Sequence, residues 1–325
     1  MTLRVFLTHN SEDLEAYYGR ALPELAALGV EIRHNPFDRD LTTSELIEHT
    51  TGTEVIVAHR STPGDAELFV ERPELRAFLR TAVDISTIDV VAATAHGVIV
   101  GHADKSFVAS TAELALGLLI DTARHITTSS HDYRSNREPS QRSGRQLRGM
   151  TAGIIGYGAI GSYLADLLRA VGLEVIVSEP EADVPDRFRT VDLETLLARS
   201  DAVFPLVAST PATRHLLDAD AIGRMQPGAV LINVSRGEIV DEIAVETALD
   251  GGHLGGFGCD VGTAPDQRPN PRLAARPDVV ATPHLGGLTP ENADAQARSS
   301  VEQIDAILRG ERPPRLANPH AWTHP

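Results

Sequence analysis

Three residues of this chain stand where their chemistry could be used. They are Arg236 in Asn233-Val234-Ser235-Arg236-Gly237, Asp260 in Cys259-Asp260-Val261, and His284 in Thr282-Pro283-His284-Leu285-Gly286-Gly287. Each follows an apolar, strand-like run. In a parallel sheet, ligands gather outside the carboxyl ends of the strands. The planar fork of Arg236 suits a carboxylate bidentately and polarises an adjacent carbonyl. The imidazole of a histidine such as His284 can hand a proton to a nascent alkoxide and take it back in reverse. Asp260 closes the next strand along the chain in the same way and is expected near the nicotinamide end of a bound cofactor. Each also has an ordinary reading: a surface ion pair, a turn acid, one structural histidine among 13. Position and flanking glycines favour the chemical one, which is reduction of a ketone by hydride.

Hydride needs a carrier, and the chain supplies a cradle for one. Gly156-Tyr157-Gly158-Ala159-Ile160-Gly161 is a G-x-G-x-x-G between the strand-like Ala152–Ile155 and an apolar helix. The first glycine permits a tight turn, the second lets backbone approach a pyrophosphate, and the third lets helix pack on strand. The N–H groups of the helix N-terminus then face the phosphates. Glu179 ends the next strand-like run, about 20 residues on, where an acid accepts hydrogen bonds from the adenosine ribose. Its charge disfavours a 2′-phosphate, so NAD is expected rather than NADP.

These residues need a scaffold, and β-rich runs alternating with amphipathic ones describe it. Strands are expected at Leu3–Leu7, Val30–His34, Val55–Ala58 and Val98–Val100, then at Ala152–Ile155, Glu174–Val177, Ala202–Leu206, Val230–Asn233 and Gly255–Cys259. Helices are expected at Leu14–Leu28, at Ser44–Thr50 with Thr43 or Ser44 as cap, as a turn within Pro73–Arg80, and at Ser110–Arg124. Others fall at Ile160–Val171, Leu193–Arg199, Ala219–Met225, Glu242–Gly251 and Asn292–Leu308. The alternation implies an α/β fold with parallel sheets. Residues 127–148 read as a polar stretch without periodicity, rich in arginine: a solvated connector, or an arm toward a partner subunit or the active site. The tail from Glu311 is proline-rich and should be extended.

The composition agrees. The chain has 325 residues, enough for two domains, and 29 basic against 45 acidic residues give a net charge of −16. So acidic a chain, with only 4% aromatics, is a poor partner for nucleic acid. A single cysteine, Cys259, excludes an internal disulfide and a cysteine-based zinc site, and no metal is expected. The short apolar start does not read as a signal peptide, and no run approaches a membrane span. A cytoplasmic protein is the expectation.

Three motifs carry a family likeness: Leu147 through Gly158, Ile232-Asn233-Val234-Ser235-Arg236-Gly237-Glu238-Ile239-Val240-Asp241-Glu242, and Thr282 through Gly287. Together they resemble the D-isomer-specific 2-hydroxyacid dehydrogenases, the group containing D-3-phosphoglycerate, glyoxylate/hydroxypyruvate and formate dehydrogenases. The resemblance implies two Rossmann-like domains, an NAD-binding one (116–289) inserted into a flavodoxin-like substrate-binding one (1–115 and 290–325), and a homodimer. It makes Arg236 the substrate-orienting arginine, His284 the acid/base, Asp260 the acid that holds the nicotinamide amide and Glu179 the ribose acid. It assigns Ala159 and Ile160 to the pyrophosphate, with Val207, Thr213, Val234, Ser235, Gly286 and Gly287 lining the cofactor. Ala82-Val83-Asp84 falls where the substrate domain offers backbone N–H groups to the substrate carboxylate, and His102 and Lys105 fall in a loop near the substrate.

The chain departs from the pattern twice. The glutamate that orients the family's histidine is missing: the run reads Asp260-Val261-Gly262-Thr263-Ala264-Pro265-Asp266-Gln267. Asp266 is the expected replacement, raising the pKa of His284 and fixing its tautomer. Gln267, which would orient without charge as in formate dehydrogenases, is the runner-up. The family's G-x-G on the substrate side is Ala82-Val83-Asp84, and Asp84 suits a carboxylate site only if turned away. Lys105, the single lysine, is either a solvated loop residue or the partner of a second anionic group. The expected function is NAD(H)-dependent interconversion of a small 2-keto acid and its D-2-hydroxy acid. The alternatives are an NAD(H)-binding regulator without turnover and a dehydrogenase of a phosphonate-type anion.

Overall fold

A computed structural model describes residues 2–264 and 267–323. The chain divides into two units: Met1–Ser106 with Thr289–Pro325, and Phe107–Leu288. Asp266, the expected support of His284, lies outside the described residues.

The first unit is built on five parallel strands in the order β2-β1-β3-β4-β5. They are β1 (Arg4–Leu7), β2 (Glu31–His34), β3 (Val55–Ala58), β4 (Ala77–Arg80) and β5 (Ile99–Gly101). This is a doubly wound order with its switch point between β1 and β3. Successive side chains enter opposite cores: Val5 and Leu7 join one apolar cluster, Phe6 the other. Strands covered on both faces read as continuous apolar runs rather than alternating ones.

That property explains one correction. Pro73–Arg80 was expected to hold a helical turn, but Ala77–Arg80 is a fully buried inner strand between β3 and β5. A short apolar run has no period to separate strand from helix. The Leu14–Leu28 run is helical but not uniform, passing through π, 3-10 and α turns before Gly29 at φ 72°. The helix Thr43–His49 is capped by Thr42, one residue before the expected cap, in a reciprocal capping box with Glu45.

The second unit has seven parallel strands in the order β12-β11-β10-β9-β6-β7-β8. They are β6 (Thr151–Ile155), β7 (Glu174–Ser178), β8 (Arg189–Thr190), β9 (Ala202–Pro205), β10 (Ala229–Asn233), β11 (Leu254–Cys259) and β12 (Val279–Ala281). The switch point lies between β6 and β9, the Rossmann arrangement. Ala202 and Phe204 enter one core and Val203 the other. The helix Val108–Arg124 ends at His125, in the left-handed region at φ 56°, and a second helix, Ile126–Arg134, follows at once. The 127–148 stretch is therefore partly helical, contrary to expectation. This helix buries none of its residues, so it carries no apolar face to betray it. Among the described residues, no helix is long and apolar enough to cross a membrane.

Candidate active site

The glycine turn sits at the switch point of the second sheet. Gly156 has φ 95°, and a Cβ there would fall 2.6 Å from the Leu206 carbonyl oxygen beyond β9 and 2.9 Å from Val207 Cγ1. Only glycine lets the β6 turn approach β9 so closely. A Cβ on Gly161 would meet the Gly156 carbonyl at 2.4 Å, whereas one on Gly158 would meet nothing within 4 Å. The first and last glycines are thus required by the protein itself, while the middle one opens onto free space. Gly158 is also the N-cap of the helix Ala159–Val171 and offers no capping side chain. The first N–H groups of that helix, including those of Ala159 and Ile160, lack intrahelical acceptors. A pyrophosphate fits this cradle.

Glu179 follows β7 and faces the turn. Its Oε2 accepts from the Tyr157 N–H at 2.8 Å, and its Oε1 from the N–H groups of Glu181 at 2.8 Å and Ala182 at 3.2 Å. Those donors, Tyr157 first, hold its carboxyl below the usual range. Glu179 therefore ties the glycine turn to the end of β7 and favours its ionised form there. The Thr213 hydroxyl donates to the Ala208 carbonyl at 2.6 Å and closes the turn after Val207.

The three chemical candidates follow β10, β11 and β12, which are neighbours. Hydrogen bonds link their loops in series. Asn233 Nδ2 donates to the Arg236 carbonyl at 2.9 Å, the Asp260 N–H donates to the Asn233 carbonyl at 3.0 Å, and the His284 N–H donates to the Asp260 carbonyl at 2.9 Å. The Ser235 hydroxyl donates to the Pro205 carbonyl at 2.8 Å and extends the series to the end of β9. Val234 and Ser235 are buried, while Arg236 is exposed and its guanidinium donates to the Ser235 carbonyl at 2.8 Å. A guanidinium at this strand end can pair with an anionic ligand.

His284 is half-buried and holds φ 61°, a left-handed conformation that costs a non-glycine residue about 1–3 kcal/mol. Its N–H also donates to the Thr282 carbonyl at 3.0 Å. Asp260 is 1% exposed, and its carboxylate receives the Thr282 hydroxyl and the N–H groups of Leu285 and Gly286. Gln267 is described: it is exposed, in a turn at φ 60°, with its N–H on the Ala264 carbonyl at 2.8 Å. Burial pushes the neighbouring Cys259 thiol up to about 12, which leaves it inert.

Several positioning residues escaped the sequence reading. A Cβ on Gly237 would lie 2.1 Å from the carbonyl carbon of Gly262, so the Arg236 turn rests directly on the loop after β11. Glu242 Oε1 receives the Thr263 N–H at 3.0 Å and steadies that loop. Asn233 could have been found, because an Asn two residues before Ser235 is an Asx-turn signature, here with Oδ1 on the Ser235 N–H at 3.1 Å.

The expected substrate-side residues belong to the first unit. Val83 and Asp84 follow β4, and His102 follows β5. Asp84 Oδ1 accepts from the Ser86 N–H at 2.8 Å, which turns that oxygen into its own loop. The His102 N–H donates to the Arg315 carbonyl at 3.1 Å, and its own carbonyl accepts from Gln303 Nε2 at 3.1 Å. Lys105 is exposed.

Residues 116–286 match the family model described as D-isomer specific 2-hydroxyacid dehydrogenase, NAD binding domain. The chain is 34% identical over 304 residues to a D-3-phosphoglycerate dehydrogenase of Mycobacterium tuberculosis, covering 90% of this chain and 56% of that protein. It thus spans little more than half the length of that relative. It is 30% identical over 327 residues to a glyoxylate reductase of Pyrococcus furiosus, covering 94% of this chain and 95% of that one. The crystal structure of a Thermus thermophilus protein superposes with a TM-score of 0.84 at 30% identity, covering 97% of this chain and 100% of that one.

Proposed function

The chain belongs to the D-isomer specific 2-hydroxyacid dehydrogenase family, and on that premise we propose that it interconverts a small 2-keto acid and its D-2-hydroxy acid with NAD(H). The observation that carries the proposal is the hydrogen-bonded series joining the loops of Arg236, Asp260 and His284 on adjacent strand ends. Arg236 binds the substrate carboxylate and polarises its carbonyl. His284 gives its proton to the carbonyl oxygen in reduction and recovers it in oxidation. Bound cofactor supplies or accepts the hydride. Gly156, Gly158, Ala159, Ile160 and Gly161 hold its pyrophosphate and Glu179 its ribose, with Val207, Thr213, Val234, Ser235, Gly286 and Gly287 along its length. Val83, Asp84 and His102 belong to the substrate side, and Asp266 is read as the acid that supports His284. Residues 107–288 serve as the cofactor domain and the first unit as the substrate domain. A homodimer and a cytoplasmic location complete the reading, and light scattering on the purified protein tests the dimer.

The test is NADH oxidation with a panel of acceptors: glyoxylate, hydroxypyruvate, pyruvate, and phosphorylated and phosphonate acids. At least one 2-keto acid is expected to be reduced. Arg236→Ala and His284→Ala should abolish that turnover while NADH still binds. Asp266→Asn should alter the pH–rate profile. Tight NADH binding with no acceptor reduced would replace this reading with that of a regulator.

A further inference from the structure

We infer that Asp260 is a positioning residue, whose carboxylate latches the 282–286 loop and so aims His284. The inference rests on the acid/base role proposed for His284. Three donors meet this buried carboxylate. The Thr282 hydroxyl and the Leu285 N–H reach Oδ1, each at 2.6 Å, and the Gly286 N–H reaches Oδ2 at 2.7 Å. All three come from the segment that brackets His284, one donor before it and two after. Both oxygens are thus engaged by the loop.

The fold prepares this contact. Cys259 and Ala281 are register partners at the ends of β11 and β12, so Asp260 and Thr282 leave the sheet side by side. The Thr282 N–H donates to the Cys259 carbonyl at 2.9 Å and carries the ladder one step further. A Cβ on Gly286 would lie 3.1 Å from Asp260 Oδ2 and 3.2 Å from Thr111 Oγ1, so a glycine there lets the carboxylate reach the N–H. The backbone of Asp260 works in the same direction, with its carbonyl on the His284 N–H at 2.9 Å. His284 keeps a left-handed φ of 61° while fastened on both sides. Strained conformations of this kind persist where surrounding contacts over-determine them. Hydrogen bonds to an ionised acceptor are roughly twice as strong as neutral ones. Asparagine cannot substitute, because its NH2 would face an N–H donor where Oδ1 or Oδ2 accepts one.

Asp260→Asn, Thr282→Val and Thr282→Ser test the latch in the full chain. Three readouts apply: amide hydrogen exchange at Leu285 and Gly286, NADH affinity by calorimetry, and kcat and KM with glyoxylate or whichever 2-keto acid the panel shows to be reduced. Thr282→Val should speed exchange of both amides about tenfold, since local opening sets their protection. It should lower kcat about tenfold with NADH affinity within about twofold, because misplacement of about 1 Å costs up to about 100-fold in rate. Thr282→Ser, which keeps the hydroxyl, should restore both values. Asp260→Asn should lower kcat by about 100-fold or more. Unchanged exchange at Leu285 and Gly286 in Thr282→Val would overturn the latch. So would an Asp260→Asn protein that loses NADH affinity about tenfold while its loop stays protected, since the acid would then serve only the nicotinamide. If Asp260→Asn does not fold, the two Thr282 variants decide alone. If no 2-keto acid is reduced by the unaltered protein, the proposed function fails while the exchange data still judge the latch.

Discussion

The two units present polar residues at the same edge of a parallel sheet, yet hold them by different means. At the carboxyl ends of β10, β11 and β12 the fastenings are backbone carbonyls, N–H groups and one buried acid, brought close by glycines such as Gly237 and Gly262. At the corresponding edge of the first unit the fastening is a buried cation. Arg80, at the end of β4, is 1% exposed and donates to the carbonyls of His59 and Thr62 and to the Thr87 hydroxyl. His9, after β1, is buried beside it, with Nε2 3.2 Å from Thr81 Oγ1. Burial, then the nearby His59 and Arg80, pushes the His9 imidazole down to about 3. The second unit is therefore vulnerable to added volume, and the first to lost charge and to acid.

Added volume should have the largest effect. In Gly237→Ala the new methyl meets backbone of Gly262, which cannot rotate away as a side chain can. Turnover in the NADH assay should fall about 100-fold, the scale of a displacement of about 1 Å at a reacting group. Wild-type turnover in that variant would show that glycine contact does not set the Arg236 loop.

Removing the buried cation comes next. Arg80→Met leaves two carbonyls and a hydroxyl without their donor, and should cost the first unit about 2–4 kcal/mol in urea unfolding. Arg80→Lys should recover only part of this, since an ammonium cannot reproduce the guanidinium fork. An Arg80→Met protein as stable as wild type would erase the contrast between the units.

Acid should act on the first unit through His9. Its folded pKa lies below the unfolded value of 6.5, so the unfolded chain binds the extra proton as the pH falls. Stability is then lost progressively from pH 6.5 down toward about 3. The limiting slope is about 1.4 kcal/mol per pH unit. His9→Gln, which does not titrate, should flatten that slope in unfolding curves taken at pH 7, 6 and 5. A slope unaffected by the substitution would remove His9 from the account.

The smallest effect belongs to Glu179. Its carboxyl is held low, so any stability it lends is complete above its ordinary value of 4.5 and fades as the pH falls through the lower folded value. It is ionised throughout pH 6–8. Glu179→Gln should weaken NADH binding only about threefold, while preference for NADH over NADPH should fall by about tenfold, or about 1.4 kcal/mol. Calorimetry with both dinucleotides checks this, and an unchanged preference would show that the acid does not read the ribose.

Legibility also differed between the units. In the second, strands, glycine turn and loop motifs could be read because each residue answers to a local requirement: a tight turn at Gly156, a strand ending at Asn233. In the first, Ala77–Arg80 was misread because an apolar run buried on both faces has no period. Arg80 passed unnoticed because a lone arginine announces neither its burial nor its acceptors. The helix Ile126–Arg134 was missed because it packs no apolar face.

The chain order of residue types determined the α/β alternation and the glycine turn, and it singled out Arg236, Asp260 and His284 as candidates for chemistry. Those are short-range properties, set by backbone freedom and side-chain chemistry within a few residues. Tertiary structure alone decided that strands ending at residues 233, 259 and 281 lie side by side, that Gly237 touches Gly262, and that Asp260 commits its carboxylate to the His284 loop. Those contacts join residues some 22 to 26 positions apart. They follow from strand order and register, which depend on how whole sheets bury their faces and not on any local pattern.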